Sequence, residues 1–150
     1  MTIDYKTDFL AFRRDLCPVE GAWGPKAIIP EWLAVWYDTT FPLPEGDPAT
    51  RNVLDARTKK EGKSTDAAAV ALYMGTREPY AEVVIAAADK DQAKARVLRA
   101  AKFAVENGPL GSHAKVYKDI IEFDNRSTIL ALPFDWKGAS GGNYSCVIFD

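Results

Sequence analysis

The chain has 150 residues, enough for one compact domain, and its 47% hydrophobic and 27% charged content excludes a largely disordered polypeptide. A net charge of −2 excludes an overall basic surface, so any contact with nucleic acid has to come from a local patch or from outside this chain. With one histidine and two cysteines, a zinc site would need carboxylates to complete it, and no disulfide is expected between Cys17 and Cys146.

The opening stretch Met1–Lys6 is polar, unlike a secretory signal. No apolar run approaches the ~20 residues needed to span a bilayer, so a cytoplasmic protein is expected. Residues 7–16 read as a helix: Thr7 can cap it, Asp8 opens it, and Phe9, Phe12 and Leu16 share a face. Pro18, Gly21 and Gly24 mark a loop. Pro30 can open a second short helix bearing Trp32, Leu33, Val35, Trp36 and Tyr37, and the proline-rich stretch 41–50 is a surface loop.

A different pattern follows. Residues 52–56 suit a short strand, 57–62 are polar and basic, and Ser64–Tyr73 is alanine-rich and helical. Glu82–Ala87 contains Val83-Val84-Ile85, a run suited to a strand covered on both faces. Asp89–Asn107 reads as a long helix, with Asp89 and Gln92 forming a capping box and Ala93, Val97, Ala100 and Ala104 an apolar stripe. Its basic residues, Arg99 among them, read as a solvated face. Gly108 and Pro109 end it. Ile120–Phe123, a turn at Asp124-Asn125-Arg126-Ser127, and Thr128–Leu132 form a hairpin. A glycine-rich loop at 138–143 leads to a last strand, Ser145–Phe149, and Asp150. Strands alternating with helices imply an α/β fold with a mainly parallel sheet flanked by helices; the hairpin adds an antiparallel element.

The chemistry concentrates at Lys60-Glu61-Gly62-Lys63-Ser64-Thr65, between a candidate strand and a helix. Phosphate binding needs such a place. Backbone amides at a helix N-terminus point at the anion and the helix dipole favours negative charge. Gly62 lets the backbone approach, Lys63 reaches terminal phosphates and the Ser64 hydroxyl ligates magnesium. The full pattern G-x-x-x-x-G-K-[ST] is not met, because Arg57 stands where its first glycine belongs. By the same logic, the apolar strand before Asp150 offers a carboxylate that can hold the magnesium through water.

These segments together resemble the ATPase domain of tailed-bacteriophage large terminase subunits, which use a deviant phosphate loop with a basic residue in place of the early glycine. Arg57-Thr58-Lys59-Lys60-Glu61-Gly62-Lys63-Ser64 looks like that loop, with Lys59-Lys60-Glu61 where the family typically has Arg-Lys-Asn. Residues 85–93 resemble its second strand and following helix, 121–129 its hairpin, and 138–150 its run into the acidic strand. The likeness covers roughly residues 50–150. Pro30-Glu31-Trp32 stands where the family places Pro-Trp-Gln, so the adenine-reading Gln is missing while Trp32 remains to stack on the base; the other reading makes Trp32 and Trp36 core residues.

The resemblance implies a P-loop NTPase core, with residues 1–50 as lead-in helices and loop and 51–150 as the core. The chain would be the N-terminal part of an ATPase domain, cut before the catalytic Glu and the nuclease domain. It implies ATP and Mg2+ as cofactors, with Lys63, Lys59 and Asp150 catalytic, Lys60, Glu61, Gly62, Lys63, Ser64, Thr65 and Trp32 on the nucleotide, and Ser64 and Asp150 on the metal. Implied partners are double-stranded DNA, the small terminase subunit and the portal, in a ring oligomer in the host cytoplasm. Another P-loop ATPase of helicase type, or a nucleotide-binding assembly module without turnover, are the alternative readings.

Overall fold

The computed structural model describes residues 5–21, 28–41, 52–58, 60–87, 94–133 and 142–149. Helix α1 (Phe9–Leu16) starts at Asp8, whose carboxylate accepts the Ala11 amide at 2.8 Å; the cap is therefore Asp8 and not Thr7. Pro30 precedes α2 (Glu31–Thr40), where its missing N–H costs no helical bond. The alanine-rich segment forms α3 (Lys63–Arg77), which begins one residue before and ends four residues after the expected helix. Strand β1 (Glu82–Ala87) has the expected bounds.

The expected helix 89–107 is divided. Residues 88–93, with the Asp89 capping box, lie outside the described residues, Lys94–Leu98 forms a π-helical turn, and α4 (Arg99–Asn107) follows. A 3-10 turn, Pro109–His113, then leads into β2 (Ala114–Val116), a short strand the sequence pattern does not reveal. The hairpin is β3 (Ile120–Phe123) and β4 (Thr128–Pro133), and the last strand is β5 (Cys146–Phe149).

The sheet order is β2-β3-β4-β1-β5. Strand β1 pairs in parallel with β4 and with β5, Val83 opposite Ile129 and Cys146, while β2-β3 and β3-β4 are antiparallel. The expected strand at 52–56 does not form: these residues take no strand hydrogen bonds, Val53 and Leu54 are 45% and 90% exposed, and β5 is an edge of the sheet. Two apolar side chains among polar neighbours supply too little burial to hold an extra strand against the entropy of ordering it.

One core joins the helices to one face of the sheet. Val83, Ile85 and Ala87 of β1, Ile121 and Phe123 of β3 and Ile129 and Ala131 of β4 pack with Leu72, Val97, Leu98 and Ala101 of the helical layer. Helix α1 joins through aromatic contacts: Phe9 meets Tyr37 and Tyr73 edge-to-face at 5.0 and 5.1 Å. The hairpin turn ties the end of α3 to the sheet. Asn125 Nδ2 donates to the Gly75 and Glu78 carbonyls at 3.1 and 3.2 Å, and Ser127 Oγ donates to the Glu78 carbonyl at 2.8 Å.

These ties set the direction of α3. A connection of only residues 78–81 joins it to β1, so α3 runs back along the sheet and its N-terminus lies toward the carboxyl ends of β1, β4 and β5. In open α/β sheets that edge is where ligands bind.

Candidate phosphate-binding loop and base cleft

Gly62 caps α3 with φ of +80° and ψ of 14°, a left-handed conformation that favours glycine. A Cβ there would meet nothing within 4 Å, so the left-handed backbone and the open space beside it are what ask for glycine. The Gly62 carbonyl accepts the Asp66 amide at 2.9 Å, the first bond of the helix. Lys63 does not extend into solvent. Its Nζ donates to the Arg57 and Thr58 carbonyls at 2.6 and 2.7 Å, so the loop curls around the ammonium. Two further bonds close it: Arg57 NH1 donates to the Glu61 carbonyl at 3.2 Å and the Thr58 amide donates to Glu61 Oε2 at 3.1 Å. The bonding from Thr58 holds the Glu61 carboxyl below its usual range. Lys60 also has a positive φ, 72°.

Arg57 anchors the start of the loop. Its Nε and NH2 grip the Asp55 carboxylate, the Nε bond being 2.8 Å, and its NH1 lies 2.8 Å from Asp66 Oδ2. Asp55 first, and Asp66 after it, hold the guanidinium more firmly in its charged form. The other Asp66 oxygen accepts from Arg13 Nε of α1 at 3.1 Å, and Arg13 NH1 donates to the Cys17 carbonyl at 3.0 Å. The Arg13, Asp66 and Arg57 side chains are only 6%, 7% and 10% exposed. The Tyr37 hydroxyl lies buried beside this cluster, and burial, then the Asp66 carboxylate, raise its pKa.

Two openings flank the start of α3, and Thr65 borders both. The first, of about 370 Å³, has an apolar wall of Ile28, Ile29, Trp32 and Leu33 and reaches Gly62; Arg13, Glu61, Thr65 and Asp66 supply its polar lining. The second, of about 380 Å³, lies between Pro18, Glu20, Ser64, Arg96 and Arg99. Arg99, expected on a solvated face, borders this opening and pairs with Glu20 at 2.6 Å.

The two tryptophans part ways. Trp36 joins the aromatic cluster, 5.7 Å from Phe41, whereas Trp32 is 55% exposed at the first cleft with the Arg57 guanidinium 5.9 Å from its ring centroid. The structure thus brings together Trp32 and Glu61, Gly62 and Thr65 around one cleft, and Ser64 and Thr65 around the next. Lys59 and Asp150 lie outside the described residues. Sequence reading missed Arg13, Asp66 and Arg57 as a set, because 53 residues separate Arg13 from Asp66. Among the described residues no group of His, Cys, Asp and Glu is arranged to hold a metal ion, and no helix is long and apolar enough to cross a membrane.

A phosphate group fits what is present: a left-handed glycine before a long helix, open space beside it and a lysine within the loop. Neither a protein-family profile nor a curated protein matches the sequence. Among solved structures the chain shares its α/β fold with a bacteriophage large terminase. It is similar to the crystal structure of the HK97 bacteriophage large terminase, with a TM-score of 0.73 at 14% identity over 99% of this chain. It spans 38% of that protein's length, and at this identity the fold is what the two share.

Proposed function

We propose that the chain is the front part of the ATPase domain of a phage large terminase subunit, in which ATP hydrolysis drives DNA into the capsid. The observation that carries this reading is the loop closed around Lys63 at the left-handed start of α3, on the carboxyl edge of the sheet. Triphosphate binding draws Lys63 from the Arg57 and Thr58 carbonyls onto the terminal phosphates, and the first amides of α3 hold the neighbouring oxygens. Trp32 stacks on the base across the apolar cleft. Ser64 and Asp150 would hold the magnesium, which would supply positive charge beside the phosphates. Lys59 or Lys60 contacts or senses the terminal phosphate.

DNA, the small terminase subunit, the portal and neighbouring subunits of a ring are the partners this reading implies. The test is calorimetric titration of this chain with ATP and Mg2+, beside Lys63→Ala. A charged hydrogen bond contributes roughly 1.5–3 kcal/mol, so the substitution is expected to weaken binding about tenfold or more. Equal affinity in the two proteins would remove the phosphate site from the proposal.

A further inference from the structure

The two openings beside the start of α3 differ in chemistry, and Thr65 borders both. The first offers an apolar wall with the half-exposed ring of Trp32. The second brings two arginines, Arg96 and Arg99, together with Ser64 and Thr65. An aromatic, apolar place at one end and a doubly cationic one at the other match a nucleoside polyphosphate, which is flat at its base and charged along its tail.

The arginines come from a second element. Arg96 stands in the π-helical turn Lys94–Leu98, and Arg99 opens α4. Turns of this kind are rare and recur at functional sites. Val97 and Leu98, between the two arginines, are buried in the core that also holds Leu72 of α3, so the turn is fixed against the phosphate-loop helix. Arg99 already holds one anion: its NH2 donates to Glu20 Oε1 at 2.6 Å, with the two side chains 65% and 52% exposed. So exposed a pair contributes little and is screened by salt. A terminal phosphate carries more charge than a carboxylate and accepts the planar arginine fork at two oxygens. Glu20 is therefore a competitor that a triphosphate displaces and a shorter, less charged tail displaces less well. Resting on the nucleotide-site reading above, we propose that Arg99 exchanges Glu20 for the terminal phosphate of the bound triphosphate, with Arg96 beside it, and so discriminates ATP from ADP.

The experiment is calorimetric titration of the full chain with ATP and with ADP, each with Mg2+, for wild type, Arg99→Ala, Arg99→Lys, Glu20→Gln and Lys63→Ala. Wild type should bind ATP more tightly than ADP. Arg99→Ala should weaken ATP about tenfold and ADP much less. Arg99→Lys keeps the charge but not the fork and should fall between the two. Glu20→Gln removes the competing charge and should tighten ATP while leaving ADP nearly unchanged. The ATP-to-ADP affinity ratio is the readout because a general loss of folding lowers both affinities together. A ratio that Arg99→Ala leaves unchanged, or a Glu20→Gln protein that binds ATP no more tightly than wild type, overturns the Arg99 assignment while Lys63-dependent binding leaves the phosphate site standing. Binding that is absent from wild type, or that Lys63→Ala does not weaken, overturns both.

Discussion

Asp66→Ala tests whether the loop is held through α3. The carboxylate sits between Arg13 Nε at 3.1 Å and Arg57 NH1 at 2.8 Å, and all three side chains are at most 10% exposed. Its removal leaves two buried cations unequally compensated. Arg57 retains Asp55, but Arg13 retains only the Cys17 carbonyl. Breaking a buried pair by removing one partner costs about 3–5 kcal/mol, and the surviving Asp55 contact places the expected loss near the lower end, ~3 kcal/mol. With about 2–4 °C per kcal/mol for a domain of this size, the melting temperature should fall by roughly 6–12 °C. Urea and thermal melts followed by circular dichroism measure it. Adding Arg13→Met replaces the stranded cation with an apolar side chain of similar length and should recover most of the loss. Nucleotide affinity should fall in Asp66→Ala as well, because Asp66 fastens Arg57 to the first turn of α3 and so holds the loop in register with the amides at the helix start. A loss under about 1 kcal/mol, with no recovery in the double variant, would show that the pairs merely break even against desolvation.

Gly62→Ala should cost about 1–2 kcal/mol of backbone strain, since the added Cβ meets no neighbour and only φ resists it. Gly62→Asn should cost less, and equal melting of all three proteins would mean that the turn is not left-handed in solution. Burial pushes the Cys17 thiol up to about 12 and the Cys146 thiol up to about 11, so neither should react with a thiol reagent at pH 8 until urea unfolds the chain. The same shift has a sign. The unfolded thiol ionises first, so stability from Cys17 is complete below pH 9 and declines as pH rises toward about 12, which alkaline urea melts of Cys17→Ala against wild type would register.

Elements whose signal is local were legible in the sequence. Val83-Val84-Ile85 gave β1 its bounds because every residue from Val83 to Ala87 is buried, and the Asp124–Ser127 turn placed the hairpin. Elements that depend on a distant partner were not. Strand β2 exists because Ala114–Val116 pairs with β3, and nothing in its composition announces it. The Val53-Leu54 pair looked like a strand but pairs with no strand among the described residues. At the site, Gly62-Lys63-Ser64 could be read because loop, helix start and lysine are contiguous. The floor of the cleft could not, because Arg13 and Asp66 look like surface charges until folding buries them together. The available clue was position: Arg13 follows the buried Phe12 in a short helix, and Asp66 opens a run of small residues that packs into the core.

The arginine at position 57 then has a physical account. A glycine at the start of a phosphate loop is useful where the chain needs a positive φ or a close approach. In this loop the positive-φ residues among those described are Lys60 and Gly62, and Arg57 is not one of them, so a side chain at 57 costs no strain of that kind. Its backbone carbonyl still does what the loop needs, accepting Lys63 at 2.6 Å. Its side chain adds what glycine could not, a double grip on Asp55 and a contact to Asp66 that fasten the loop to the first turn of α3. The loop is therefore shaped from outside by ion pairs and from inside by the lysine that a phosphate would draw away. Only the inner contacts compete with ligand. The outer ones do not involve Lys63, so withdrawing it would cost the two hydrogen bonds it makes and leave the grip of Arg57 on Asp55 and Asp66 in place to hold the amides at the start of α3 for an anion.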